Sequence, residues 1–367
     1  DSTLIDNNAL DDRALWASRL QLNLDAKISD KTSVHYTWRP VGNTWDVQGM
    51  AAANADNDSV MRLWAETEFY GVGVKAGDMP LSVNDGLLLK DTGGSYGTIL
   101  LSKSFGDMTV VGMNIRVENQ STSALADSDD DQTDVYGLSL LGKAGNINYQ
   151  VTWAHAEVDA GSTVGTTGTT TGAADDDWFA VTAGTEMSGI KLVGTVIWET
   201  GVDMATATTT NALGQLDDSG VMAALKLSGK SGFGSYKGYA FYAGEDYTHP
   251  HSAGGQGMDS RPSWSTAWDA GVGSRGLFET WAGSSETVAT NNQASQDENM
   301  WGLGGTLAVK AGAWTISPAL DYASIVESNT ATTLSAVGGS LTASTTLDEG
   351  TTLSFFAIGL DPQDDNG

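Results

Sequence analysis

The sequence predicts an all-β protein, a transmembrane antiparallel β-barrel of about 16 strands formed by one domain over residues 1–367. Two observations predict this fold. Apolar and polar residues follow one another with a period of two along nearly the whole chain. The connections also alternate, a short turn being followed by a long polar loop. A third observation excludes the helical alternative, because no apolar run approaches the roughly 18 residues that a spanning helix needs.

The first hairpin shows the pattern clearly. In "SRLQLNLDAKISDKTSVHYTWR", residues 18–39, Leu20, Leu22 and Leu24 alternate with polar or charged residues, and "SDKT" separates two such runs. One face would therefore carry full charges and the other only apolar side chains. Charges at every second position are costly in a packed core but need no partner in a water-filled lumen. We expect the apolar face to meet lipid and the polar face to meet water.

The same alternation recurs further along the chain. A period of two with so little helical periodicity indicates strands throughout. The clearest repeats lie at residues 61–69, 111–117, 147–154, 190–199 and 314–322.

The connections predict which membrane holds the barrel. Short turns at one end and long loops at the other are typical of outer-membrane barrels, with periplasmic turns and extracellular loops. Acidic runs such as 126–134 and 173–178 are expected in the long loops. The short turns are predicted at 29–32, 70–73, 105–107, 144–146, 188–190, 229–235, 311–313 and 348–351, and the long loops at about 43–59, 80–96, 119–132, 158–177, 201–218 and 246–298.

Composition excludes several classes of function. The chain has 46 acidic and 18 basic residues, which argues against a nucleic-acid partner. It has no cysteine, which excludes disulfides and thiolate chemistry. It begins at Asp1 without a signal peptide, so we expect a processed or truncated N-terminus. If one further strand lies before Asp1 and another after the last visible strand, the number of barrel strands becomes 18.

Two segments resemble a known family. "DDRALWASRLQLNLDAKISDKTSVHYTWR" is similar to the first complete hairpin of Gram-negative outer-membrane general porins, particularly porin-like proteins of sulfate- and metal-reducing proteobacteria. "FYGVGVKAGDMPLSVNDGLLLKDTGGSYGTILLSKSFGDMTVVGMNIRVEN" is similar to their strand, constriction loop and following strand. The resemblance implies a homotrimer in the bacterial outer membrane, with lipid and lipopolysaccharide around it.

Alternation also predicts the residues that line the lumen. Much of the scarce basic charge falls on the polar face, where cations opposite carboxylates would set up a field that filters solutes. A generally solvated face is the alternative. The predicted pore-lining residues are Arg19, Asp25, Lys27, Arg39, Arg62, Glu66, Glu68, Lys75, Arg116 and Lys191.

Residues 80–96 are the predicted constriction loop. If one strand precedes Asp1, residues 80–96 form the third long loop, which in porins folds inward. Their "GLLL" offers an apolar segment that would be awkward if exposed. Asp85, Lys90 and Asp91 would then point into the lumen. An ordinary exterior loop is the alternative.

Other chemistry has little support. His249 and His251 in the long loop 246–298 are weak metal candidates, and four aromatic residues there favour packing or subunit contact. Acidic runs offer loosely bound Ca²⁺ or a bridge to lipopolysaccharide, but no dedicated calcium loop occurs. His155 has no evident partner serine, so no catalytic residue, metal site or cofactor is predicted.

We therefore expect a passive diffusion channel for small hydrophilic solutes and ions, not an enzyme. A channel specific for sugars or organic acids is the first alternative, although Trp64 and Trp178 make too short an aromatic line to indicate one. A structural or adhesive surface barrel, plugged by residues 246–298, is the second. Ion selectivity stays open, because the net charge of −28 and the basic lumen face point in opposite directions.

Overall fold

The structure is a computed structural model of the 367-residue chain. It describes residues 15–46, 61–90, 96–118, 132–158, 174–200, 203–204, 219–244, 298–327, 333–348 and 351–364.

The described chain is almost entirely β-strand. Sixteen strands have seven residues or more, and β5, β6 and β13 have two each. In chain order the strands are β1 Leu15–Lys27, β2 Ser33–Asp46, β3 Met61–Phe69, β4 Val72–Asp78, β5 Ser82–Val83, β6 Leu89–Lys90, β7 Tyr96–Phe105, β8 Met108–Glu118, β9 Gln132–Ala144, β10 Ile147–Val158, β11 Ala174–Met187, β12 Ile190–Glu199, β13 Asp203–Met204, β14 Val221–Ser231, β15 Gly234–Ala243, β16 Glu298–Ala311, β17 Trp314–Glu327, β18 Thr333–Asp348 and β19 Thr351–Asp364.

The long strands form one antiparallel meander. Each pairs with the next long strand along the chain, from β1 through to β19. β13 adds to β11, and β5 pairs with β6 in a separate small sheet. Within the described residues no ladder joins β1 to β19. The prediction of an all-β antiparallel fold with about 16 strands is confirmed.

Tight turns join the hairpins at one end of the sheet. Tyr70 and Gly71 have φ of 50° and 72°, and Ser188 and Gly189 have φ of 52° and 78°. Two-residue turns with positive φ at both positions match the right-handed twist of the flanking strands. They fix the registers of β3 with β4 and of β11 with β12, and so decide which side chains share a face.

The two faces of the sheet differ in what they expose. One face, here called the apolar face, presents large hydrophobic side chains to the surroundings: Leu63 is 56% exposed, Leu138 52% and Leu303 49%. The other face, the covered face, is the one on which residues 79–90 lie. This is the reverse of a soluble domain, where such side chains would be inside.

The helical content is one 3₁₀ turn, Asn84–Gly86, among the described residues. No helix in the described ranges is long and apolar enough to cross a membrane.

Several predicted connections differ from the structure. The acidic run 173–178 was expected in a loop, but β11 begins at Ala174 and Asp177 pairs opposite His155 of β10. The backbone ladder continues because it does not depend on apolar side chains. The connection after β17 spans only residues 328–332, although the alternation of short turns and long loops predicts a long loop between the turns at 311–313 and 348–351. The long loop 246–298 lies outside the described residues except for Glu298, as do His249 and His251.

Candidate functional site

Residues 79–90 lie flat on the covered face and bury their leucines there. Leu87, Leu88 and Leu89 are 1%, 0% and 1% exposed. They belong to one hydrophobic cluster with side chains from strands β8 to β15. The principal wall residues of that cluster are Met113, Ile115, Val135, Ala154, Ala156, Trp178, Ala180, Ile197, Met222, Ala224, Phe241 and Ala243.

The wall has room for these leucines because many of its residues are small. Ala154, Ala180 and Ala224 are 0%, 0% and 8% exposed. Each sits where a larger inward side chain would occupy the space that the segment fills. The wall is thus shaped as a socket for residues 81–89, and close packing of this kind holds a segment in one position.

A left-handed turn reverses the chain within the segment. Asn84, Asp85 and Gly86 have φ of 51°, 62° and 78°, a conformation that Asn, Asp and Gly adopt more readily than other residues. The Leu87 N–H donates to the Asn84 carbonyl at 3.2 Å and closes the turn. The reversal allows β5 to pair with β6, which places Val83 opposite Leu89.

Buried hydrogen bonds hold the turn against the wall. The Asn84 side-chain amide donates to Thr182 Oγ1 at 3.1 Å, and its backbone N–H donates to Gln150 Oε1 at 3.3 Å. Thr182 is hydrogen-bonded in turn to Thr195 at 2.9 Å. Asn84 is 0% exposed, so loss of these bonds would leave a buried polar group without a partner.

An ion pair joins the segment to the wall. Lys226 Nζ of β14 lies 2.6 Å from Asp85 Oδ2, and the two side chains are 27% and 37% exposed. The pair therefore sits at the border between the buried cluster and solvent. It places a carboxylate and an ammonium group side by side where the segment meets open space.

Strands β1 to β4 carry a second, charged group on the covered face. The rings of His35 and Trp64 stack at 3.8 Å, and Lys75 Nζ lies 5.2 Å from the Trp64 ring centroid. Glu66 Oε2 accepts from Lys75 at 2.9 Å, and Asp25 Oδ1 lies 2.5 Å from His35 Nδ1. In this group the Lys75 ammonium is thus compensated by a neighbouring carboxylate.

Most of the predicted pore-lining residues with described side chains share the covered face. The strand register links them. Asp25 lies opposite His35, and Glu66 lies opposite Lys75. Lys75 in turn lies opposite Leu100, which packs against the hydrophobic cluster. The residues placed on this face are Asp25, Lys27, Arg62, Glu66, Glu68, Lys75 and Lys191, with Asp85 on the segment above it.

Arg116 was predicted to line the lumen, and the structure places it on the apolar face instead. It makes a two-pronged ion pair with Asp134, with both distances 3.1 Å. Its neighbours Met113 and Ile115 take the covered face because they pack in the hydrophobic cluster with the leucines of the segment. Hydropathy alone assigned the faces of β8 the wrong way round, since here the apolar residues are the covered ones.

Four predicted site residues lie outside the part of the chain whose side chains are described. They are Arg19, Arg39, Lys90 and Asp91.

His155, the one histidine considered for catalysis, lies on the apolar face near the long-loop end. Its Nδ1 is 3.2 Å from Asp177 Oδ1, which also accepts from Trp153 Nε1 at 2.7 Å. Among the described residues, no group of three His, Cys, Asp or Glu side chains could hold a metal ion.

Sequence reasoning missed the wall that holds the segment, although a signal for it exists. β10 and β12 carry Ala154, Ala156 and Ile197 at positions where strict alternation would place polar residues. Apolar residues on both faces near one strand end indicate that something apolar covers the second face there.

Comparison with known proteins supports the fold through solved structures and not through sequence relatives. No protein-family model matches the chain, and no curated protein sequence matches it. Solved structures do match: OccAB4 of Acinetobacter baumannii has a TM-score of 0.55 at 9% identity, over 99% of this chain and 90% of that one.

Two further matches are with structures of Pseudomonas aeruginosa proteins. OpdK, solved with vanillate, has a TM-score of 0.54 at 9% identity, over 95% of this chain and 88% of that one. OccK2 (OpdF), solved in complex with glucuronate, has a TM-score of 0.52 at 10% identity, over 96% and 91%. The chain therefore has the fold of Gram-negative outer-membrane porins.

Proposed function

We propose that this protein is a porin-type channel of the bacterial outer membrane that lets small hydrophilic solutes and ions diffuse through. The observation that carries the proposal is that the two faces of the sheet differ in character. One face exposes large apolar side chains suited to lipid, and the other bears charged residues and a tightly packed segment. Such a division suits a barrel with lipid outside and water inside.

The sidedness follows from the connections. The tight turns would face the periplasm and the long connections the outside, as outer-membrane barrels are arranged. Residues 79–90 would narrow the lumen from one wall, and the Asp85–Lys226 pair would border the passage that is left. Pore width and lining charge then select solutes without a cofactor or a chemical step.

Liposome swelling with neutral sugars of increasing size tests this proposal. Proteoliposomes should swell in the smallest sugars, and the rate should fall smoothly as the sugars grow. Failure to swell in any of them, with the protein folded and inserted, would overturn the channel proposal. Heat-modifiable mobility in gels checks folding independently of transport.

A substrate-specific channel is a second candidate, favoured by one observation. The stacked His35–Trp64 pair beside Lys75 and Glu66 offers an aromatic surface and both signs of charge on the covered face. Two of the solved structures of similar fold hold small organic acids, vanillate and glucuronate. For a specific channel, uptake of one such acid should saturate and compete with related acids, whereas a general channel shows neither.

A third candidate is a structural or adhesive barrel in which residues 246–298 plug the lumen. Deletion of that loop separates this candidate from a channel, because it would open a plugged barrel and leave an open one conducting as before.

We also propose a homotrimer, which rests on the sequence resemblance alone. Mass measurement in detergent by light scattering tests it: three copies of the 38.3 kDa chain are expected, and a single copy would contradict the trimer. Binding to lipopolysaccharide and loose Ca²⁺ binding at acidic loops are further proposals, which rest on the carboxylate oxygens of the acidic runs. Chelator and lipopolysaccharide titrations measure both.

A further inference from the structure

Four lysines surround Ser228 on the covered face near the tight-turn end of the sheet. In the register, Ser228 of β14 lies opposite Lys191 of β12 on one side and Lys237 of β15 on the other. Lys226 and Lys230 are the same-face neighbours of Ser228 above and below on β14 itself. The four lysines thus form a diamond with a serine hydroxyl at its centre.

The dimensions of this lysine diamond follow from strand geometry. Strands are about 4.8 Å apart, so the Cα atoms of Lys191 and Lys237 lie about 10 Å apart across β14. Four residues along a strand place the Cα atoms of Lys226 and Lys230 roughly 13 Å apart. Flexible lysine side chains can therefore converge on one bound group from all four sides.

All four lysines lie on the same face of the sheet as the buried segment 79–90. Ala224, two residues above Lys226, belongs to the hydrophobic cluster, and it lies opposite Thr195 and Phe241, which are also buried. Lys191, Lys230 and Lys237 are exposed on this face, and Lys226 is 27% exposed. The diamond is open to solvent on the side that the proposed function makes the lumen.

Among the described residues, carboxylates near the diamond are fewer than its cations. Asp85 pairs with Lys226 at 2.6 Å, and Glu186 of β11 lies opposite Lys191 at the edge. On β1 to β4, by contrast, Lys27, Lys31 and Lys75 each have a carboxylate within 3.2 Å. Like charges side by side in a sheet repel one another, so a cluster with excess positive charge gains most from a bound anion.

We propose that the lysine diamond around Ser228 is a binding site for a multiply charged oxyanion, an oligophosphate or a polycarboxylate. Four ammonium groups attract such an anion together, while a monovalent carboxylate neutralises only one of them. The Ser228 hydroxyl supplies a donor at the centre. The position of the site inside a water-filled lumen rests on the proposed function, but binding itself does not require transport.

Isothermal titration of the folded protein in neutral detergent with inorganic tripolyphosphate tests the site. We expect saturable binding at one site per chain, and citrate in a parallel titration shows whether carboxylates serve as well as phosphates. Lys191→Gln and Lys237→Gln should each weaken binding about fivefold, the size expected for one exposed charge interaction. Asp85→Asn should strengthen binding, because it removes the carboxylate that pairs with Lys226.

Two matched controls separate a site from general attraction. Lys143→Gln removes a cation from the same face and the same end of the sheet on β9, outside the diamond. Lys103→Gln removes one from the apolar face, where Lys103 lies 5.6 Å from the Phe105 ring. Neither should change affinity by more than about twofold.

Three results would overturn the site: no binding of tripolyphosphate or citrate, equal loss of binding in Lys143→Gln and Lys191→Gln, or acetate binding as tightly as the multivalent anions. Conductance recorded on the same preparations keeps the two proposals apart. A conducting protein that binds no anion overturns the site alone, and a binding protein without conductance overturns the channel alone.

Discussion

At the scale of single residues, Asn84 illustrates how one side chain can hold a segment. It combines a left-handed backbone, complete burial and hydrogen bonds to β10 and β11. Alanine adopts this conformation less readily and cannot donate the side-chain hydrogen bond to Thr182. The residue thus links the local turn to the position of the whole segment 79–90.

Asn84→Ala is expected to lower the free energy of unfolding by about 1–3 kcal/mol, since it removes the buried side-chain hydrogen bond to Thr182 and strains the turn. Chemical denaturation in lipid vesicles measures the change. Asn148→Ala is the matched control, because Asn148 is an exposed asparagine of β10 on the covered face of the sheet. Equal losses in the two variants would show that the turn contacts carry no special stability.

Asp85→Asn tests the charge that borders the proposed passage. Removing this carboxylate takes a negative charge away from beside the Lys226 ammonium, so the field there becomes more positive. The reversal potential under a salt gradient should shift toward the anion's equilibrium potential. Asp107→Asn, in the turn between β7 and β8, serves as the control and should leave the potential unchanged. A shift toward the cation would contradict the placement of Asp85 beside the ion path.

At the scale of elements, the segment 79–90 and its wall act as one packed unit. The leucines bury themselves among small wall residues, and the polar turn fixes their register. A charge placed in this cluster has no partner and disfavours packing strongly. The barrel strands themselves need not change, because their ladders are backbone hydrogen bonds.

Leu88→Asp should therefore detach the segment and raise the single-channel conductance of the folded barrel. Leu88 is 0% exposed, so the new carboxylate would otherwise be buried among apolar groups. Leu88→Ala, which leaves a cavity but no charge, is expected to keep conductance close to that of the parent. If both variants conduct like the parent, residues 79–90 do not narrow the passage.

The sequence predicted the strands well and one face of a strand wrongly, for the same reason. Alternation is a local signal, so it found strands such as β1, β3 and β12 and the face of Asp25, Glu66 and Lys191. It failed at Arg116 because β8 packs against a segment about 30 residues earlier in the chain. The acidic start of β11 was missed because pairing with β10 extends the ladder through polar residues.

The socket for the segment could not be derived from local patterns either. Ala154, Ala180 and Ala224 come from three strands that the fold brings together, and no spacing in the chain joins them. The left-handed Asn84-Asp85-Gly86 turn, in contrast, is typical of its residue types. It needs only the right neighbours to be held in place.

At the scale of the whole molecule, the chain is inside out relative to a soluble protein. Exposed leucines, tryptophans and phenylalanines cover one face, and the other carries ion pairs and the apolar wall under residues 79–90. The absence of cysteine makes this division directly measurable, since any introduced thiol is the sole one in the chain.

Cysteines at adjacent positions of β7 should report opposite environments. Ser102 lies on the covered face and Leu101, which is 49% exposed, on the apolar face. In proteoliposomes a membrane-impermeant maleimide should label Ser102→Cys and leave Leu101→Cys unmodified, while a lipid-soluble maleimide should label Leu101→Cys. Equal labelling of both sites by the impermeant reagent would show that the apolar face does not meet lipid.

The most direct measurement is single-channel recording of the purified protein in planar bilayers. Water on the covered face and lipid on the apolar face predict discrete, stepwise conductance that rises with salt concentration and shows no need for a cofactor. A protein that inserts in folded form, with the labelling pattern above, yet passes no current would contradict the channel and leave a plugged structural barrel in its place.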